Sequence, residues 1–144
     1  MQTVLVTGAA GGIGARLRQL LKGVYRELRL SDIKRPSDLG PDETFIAADL
    51  ASLAEVERAV AGVDGIVHLG GFSVEETAQA VDTLSRFLES SRVTALLVEH
   101  DMEVVFRLAH KITVLHRGAV IADGPPEAVK ADAGVQQAYL GGID

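Results

Sequence analysis

The sequence of 144 residues predicts an α/β fold: a single doubly wound, three-layer domain on a mostly parallel sheet, with an antiparallel hairpin towards the C-terminus. Three observations predict it. Short β-branched runs alternate with segments of helical apolar period over the first two thirds, the pattern of parallel strands joined by crossover helices. A glycine-rich turn follows the first of those runs directly. Further on, Arg117–Gly118 separates two apolar runs by two residues, which is a hairpin signal.

Residues 3–7 (TVLVT) read as a buried parallel strand, because the run is continuous rather than alternating and ends in glycine. Residues 11–22 carry helical apolar spacing at Ile13, Leu17, Leu20 and Leu21. Strands are expected near 26–31 and 43–47, on either side of a loop rich in Pro, Gly and Asp over 34–42. Residues 51–61 read as a helix with Leu53, Val56 and Val60 on one face, and 64–69 (DGIVHL) as another buried strand. A long amphipathic helix is expected over 75–90, with Ala78, Val81, Leu84 and Leu88 inward. A strand at 93–98 and a helix at 101–109 follow, with Asp101 as its N-cap. Runs at 111–116 and 119–122 form the hairpin, an antiparallel margin to the sheet, and two short helices near 125–131 and 134–140 end the chain.

The motif with most chemical content is Thr7-Gly8-Ala9-Ala10-Gly11-Gly12-Ile13-Gly14. Its spacing, Gly8-x-x-Gly11-x-x-Gly14, sits between a strand and a helix. The first glycine permits a tight turn, the second lets backbone approach a pyrophosphate, and the third allows close helix–strand packing. The helix start then presents N–H donors and the positive end of its dipole to an anion. Gly12 and Ile13 belong to the same cradle. Asp32, 24 positions after Gly8, stands at the end of the second strand. A carboxylate there suits an adenosine ribose and repels a 2′-phosphate, which favours NAD over NADP. The alternative for Asp32 is a turn cap. Together these features make the fold Rossmann-like, with sheet order near 3-2-1-4-5.

VTGAAGGIG, LSDI at 30–33, Ala48-Asp49-Leu50 and DGIVHLGG at 64–71 resemble the extended short-chain dehydrogenase/reductase family. Its NAD-dependent epimerase-like uronate dehydrogenase branch is the part resembled, over residues 1–74. The resemblance implies that Asp49 and Leu50 lie beside the adenine and that Leu69, Gly70 and Gly71 line the cofactor cleft. That family transfers hydride with a Tyr-x-x-x-Lys pair. This chain has Tyr25, with Arg29 four residues on, and Tyr139, with Ile143 four residues on, so neither tyrosine fits.

Residues 73–142 resemble a different family. SVEETAQAVDTL, TALLVEHDMEVVFRLAHKITVLHRGAVIADGPPEAV and VQQAYLGG are similar to the C-terminal part of ABC-transporter ATPase subunits of the branched-chain amino acid importer type. The resemblance implies that His100 matches a histidine that contacts the γ-phosphate of ATP. The Gly-x-x-x-x-Gly-Lys-Ser/Thr loop, the Walker B acidic pair and the Ser-Gly-Gly-Gln signature are absent, so these residues have nothing to hold the β- and γ-phosphates. The sequence thus reads as one domain, 1–144, made of a dinucleotide-binding half (1–74) and an ATPase-derived half (75–144) meeting near 70–75. An engineered or recombined chimera is expected. A truncated or fused natural NAD-dependent oxidoreductase, an ATP-binding module and a ligand-free structural protein are the alternatives.

A net charge of −6 argues against nucleic acid and anionic membranes as general partners. The absence of cysteine excludes disulfides and thiolate catalysis. His68, His100, His110 and His116 have no metal-motif spacing, so no metal site is expected. His68, in an apolar strand, reads as a satisfied core histidine. His100 and Glu99 follow the strand at 93–98, which places them either near the nicotinamide end of a cofactor or in solvent. The N-terminus has no signal-peptide pattern and no span is long and apolar enough for a membrane helix, so a soluble cytoplasmic protein is expected. A truncated sheet with a bare edge would favour a homodimer. The functional expectation is a scaffold with an intact NAD-binding glycine loop, no catalytic residues and no enzyme activity.

Overall fold

The computed structural model describes residues 3–50, 52–70, 77–91 and 93–139. The joint expected between the two resembled families, near 70–75, falls outside this set except for residue 70. Two compact units are present, Met1–Val98 and Glu99–Asp144.

The first unit is a five-stranded parallel sheet in the order β3-β2-β1-β4-β5. Its strands are β1 (Thr3–Thr7), β2 (Glu27–Asp32), β3 (Glu43–Ala47), β4 (Gly65–His68) and β5 (Thr94–Leu97). Every residue of β1 is buried, which accounts for its unbroken β-branched run. Alternate residues of the sheet feed two cores. Val4, Val6, Leu28 and Leu30 face α1 (Gly12–Leu21), where Leu17 and Leu21 pack on them. Leu5 and Ile66 pack on the opposite side with Ala59 and Val60 of α2 (Leu53–Val60) and with Phe87 of α3 (Thr77–Ser90). Helices on both faces make the sheet doubly wound. The strand order reverses between β1 and β4, the position at which such sheets bind ligands.

The apolar pattern of α1 does not coincide with its buried face. Ile13 and Leu20 are about two thirds exposed, while Gly14 and Arg18 are buried. The inward stripe runs through 14, 17, 18 and 21, because Gly14 must lie against the β1 turn and Arg18, one turn on, then follows it inward. Strand β5 is largely exposed, with Leu96 at 59%.

The second unit contains α4 (Met102–Leu108), β6 (Ile112–His116), β7 (Ala119–Gly124), α5 (Pro126–Ala131) and α6 (Ala133–Tyr139). Asp101 caps α4 as expected, its Oδ1 accepting the N–H groups of Glu103 and Val104. Arg117 and Gly118 both have positive φ, 51° and 81°, the geometry of a tight hairpin turn. The hairpin does not extend the parallel sheet. It is a separate two-stranded sheet, because Ile112 and Val114 are used in a core of their own with Val129 and Val135.

Candidate functional site

The turn after β1 is shaped by close backbone contacts. Gly8 has φ +66°, and a Cβ there would stand 2.7 Å from Gly70 N and from the carbonyl carbon of Leu69. The turn therefore lies directly on the segment that follows β4. Gly11 donates its N–H to Gly8 O at 3.1 Å, closing the turn. A Cβ on Gly14 would overlap Gly8 O and come within 2.8 Å of Ala9 Cα, so α1 packs on the turn only because residue 14 is glycine. Gly12 differs: nothing lies within 4 Å of where its Cβ would be. Gly11, the N-cap of α1, offers no side chain, and no side chain caps the helix.

Asp32 ends β2 with its carboxylate turned to this loop. Oδ2 accepts the N–H of Ala10 at 3.0 Å, and Oδ1 accepts that of Lys34 at 3.3 Å. The turn-cap role is thus realised, on the rim where a ribose-binding acid is expected. Ala9 N–H donates to Ser31 O at 3.3 Å, a second tie between the turn and β2. Ile33, next to Asp32, is 75% exposed.

Beneath the turn, Thr7 Oγ1 and His68 Nδ1 lie 2.6 Å apart, both residues being buried. His68 is a core histidine, as the apolar strand around it suggested. Leu50 is half-buried, with Cδ1 3.0 Å from the Cβ position of Gly70. It joins Thr7 and His68 around a small apolar cavity that Leu5, Ile66 and Leu84 also line. Asp49 is exposed, and its N–H donates to Glu55 Oε2 at 2.8 Å.

Of the residues singled out in the sequence, Gly8, Gly11, Gly14, Leu69, Gly70 and Leu50 converge where β1 and β4 end. Asp32 joins them through Ala10. Gly12 and Ile13 are on the open side at the start of α1, Asp49 follows β3, and Gly71 lies outside the described residues. His100, at the head of the second unit, has a side chain 93% exposed, with Nδ1 3.6 Å from Glu99 Oε2.

Arg18 was not singled out. Its side chain is 3% exposed and is engaged on every side. Nε donates to Glu43 Oε1 at 2.9 Å and Nη2 to Glu43 Oε2 at 2.7 Å. Nη1 reaches Asp38 Oδ1 and Nη2 reaches Asp38 O, each at 3.1 Å. Hydrogen bonding from Arg18 holds the Glu43 carboxyl below the usual glutamate range, burial opposes this, and the Gly40 N–H assists it. The only signal in the sequence was an arginine one turn after Gly14, which helix statistics assign to the surface.

Among the described residues no group of acidic or histidine side chains could hold a metal ion. No helix among them is long and apolar enough to cross a membrane.

Residues 4–109 match the model of the NAD dependent epimerase/dehydratase family, and residues 119–144 match that of the branched-chain amino acid ATP-binding cassette transporter. The first match runs beyond residue 74, where the sequence resemblance was drawn to end. A uronate dehydrogenase of Pseudomonas putida is 48% identical over 79 residues, 54% of this chain and 30% of that protein. The high-affinity branched-chain amino acid transport ATP-binding protein BraF of Pseudomonas aeruginosa is 37% identical over 71 residues, 49% of this chain and 28% of its own. The two sets of relatives match different segments, as in a chimera. A uronate dehydrogenase structure from Agrobacterium tumefaciens, a tyrosine-to-alanine variant complexed with NAD, superposes with a TM-score of 0.54. It is 38% identical and covers 60% of this chain and 36% of that one. The chain spans less than a third of the length of the curated relatives it matches.

Proposed function

The chain belongs to the NAD dependent epimerase/dehydratase family, and on that premise we propose that it binds the adenosine diphosphate portion of NAD without completing a hydride transfer by itself. One observation carries this reading. The turn after β1 is packed against backbone at Gly8 and Gly14, while Gly11 and Gly12 at the start of α1 are exposed and nothing lies within 4 Å of a Cβ position on Gly12. A diphosphate brought there would meet backbone N–H groups and the helix dipole, with no side chain in the way.

The surrounding residues fit the rest of the adenosine half. Asp32 is half-buried on the rim with a carboxylate that accepts hydrogen bonds, and Ile33 offers an exposed apolar face beside it for a base. Leu50, Leu69 and Gly70 floor the cleft, and Asp49 borders it on the β3 side. The fit extends to the charge of Asp32, which disfavours a 2′-phosphate. Bound NAD supplies a hydride acceptor. The residues here bind and orient, and no tyrosine in this sequence has a lysine four positions on to pass a proton. We read residues beyond about 75 as inherited from the transporter ATPase family, recombined at a point where both parents are α/β.

The test is titration of the chain with NAD and with ADP-ribose, followed by the amide resonances of Gly12, Ile13 and Gly14. Those three should shift with both ligands, and saturation at 100 times Kd should raise stability by about 2.7 kcal/mol. Unmoved resonances at millimolar dinucleotide, with no thermal shift, overturn the reading.

A further inference from the structure

We propose that Arg18 is a positioning residue for the Asp32 carboxylate, and through it for discrimination between dinucleotides with a 2′-hydroxyl and those with a 2′-phosphate. The inference rests on the functional reading above and adds to it a residue that touches no ligand.

The path is short. Strand β2 ends at Asp32 and the chain returns to β3 at Glu43. Arg18 fastens the far part of this connection through Asp38 and both Glu43 oxygens, while Glu43 also accepts the N–H of Gly40 at 2.8 Å. Pro36 is buried, and Leu39 packs on the core beneath α1. Only Ile33, Lys34 and Arg35 therefore span the gap between Asp32 and the fastened part. The middle one, Lys34, donates its N–H to Asp32 Oδ1, and Oδ2 then faces Ala10. Arg35 is steadied by the Phe45 ring, 5.9 Å from its guanidinium carbon.

Arg18 thus holds the strand connection at a length that keeps the Lys34 N–H in front of Asp32. That in turn keeps the carboxylate aimed at the rim. A guanidinium is suited to this because its planar fork sets two parallel N–H bonds on the two oxygens of one carboxylate, a fixed geometry that an ammonium, a point charge, does not impose. With the fastening loosened, Asp32 loses one of its two amide partners. It can then swing from the rim, which weakens ribose binding and relaxes the repulsion of a 2′-phosphate together.

The test uses Arg18→Lys and Asp38→Ala, the second removing only an exposed partner of Arg18 and so sparing the fold. In the ligand-free protein, hydrogen exchange at the Ala10 and Lys34 amides should quicken by about tenfold in both variants. With ligand, NAD affinity should fall severalfold, and the ratio of NAD to NADP affinity should fall as well. Asp32→Asn serves as the reference for complete loss of discrimination. A lower melting temperature with unchanged exchange at those amides and an unchanged affinity ratio overturns the proposal, since a residue that merely supports the fold would do that. If wild-type protein binds neither dinucleotide while exchange still quickens, the functional reading fails and the inference about discrimination falls with it. If NAD binds and only the variants behave as wild type, this inference alone fails.

Discussion

The carboxylate of Asp32 and the backbone of Ala10 meet at 3.0 Å, which joins the end of β2 to the turn after β1. The acid proposed to face a ribose therefore also shapes the turn proposed to face a diphosphate. Asp32→Ala should lower stability by about 1 kcal/mol, a modest value because the pair is accessible to water. NAD affinity should fall by about tenfold or more, since both groups proposed to recognise it are disturbed. Denaturant unfolding and calorimetric titration of the same preparation separate the two effects.

Two glycines two positions apart at the start of α1, Gly12 and Gly14, should respond in opposite ways. Gly14→Ala places a methyl group on the backbone of Gly8 and Ala9 and should cost about 3 kcal/mol or more. Gly12→Ala meets nothing within 4 Å and should leave stability unchanged or slightly higher, as alanine suits a helix better. Its dinucleotide affinity should nevertheless drop, because the methyl group occupies the space through which a phosphate approaches. Intact affinity in a stable Gly12→Ala protein would argue against the proposed site.

Thr7→Val keeps the shape of β1 but removes the hydroxyl that lies 2.6 Å from His68 Nδ1. The loss should be about 1–3 kcal/mol, the usual consequence of a buried polar atom deprived of one partner. Urea unfolding monitored by circular dichroism measures it. Thr7→Ser, which retains the hydroxyl, should recover part of the loss.

Acid should loosen the Arg18 clasp. Glu43 titrates below its ordinary range when folded, so its contribution is present above the unfolded value, about pH 4.3, and is lost as pH falls through the lower folded value. Glu43→Gln should therefore show a flatter dependence of stability on pH below about 4.3 than the wild type. A residual slope is expected from Glu27, which the Thr44 hydroxyl holds below its usual range. Chemical denaturation at a series of pH values checks both.

In the second unit, Val135 is fully enclosed with Ile112, Val114 and Val129. Val135→Ala should destabilise this unit by about 2 kcal/mol, the transfer of two methyl groups plus a small void. Amide exchange in β6 reads the change.

Most of the first unit was legible because its signals are local. The β1 run, the turn glycines and Asp32 all sit within the first 32 residues, and each has a physical reason to be the residue it is. The α4 cap and the hairpin turn at Arg117–Gly118 were legible for the same cause. What could not be read was long-range. Nothing in the pattern of α1 shows that Arg18 is buried, because its justification lies in Asp38 and Glu43, 20 and 25 positions away. The exposed face of β5 was equally hidden, since an apolar run shows that a strand forms and not what covers it. That the hairpin forms its own sheet depended on Ile112 and Val114 finding Val129 and Val135, a choice between partners that periodicity does not contain.

The register of β1 with β4 sets an order of events during synthesis. Thr7 and His68 are 61 positions apart, and Gly8 rests on Gly70. While β2 can be recruited early, the nascent turn has no floor until the ribosome has released β4, and closing so long a loop is slow relative to local pairing. The glycine turn thus precedes its floor in the chain and reaches its packed form late, and a chain arrested before residue 65 would lack the backbone of Leu69 and Gly70 on which Gly8 rests.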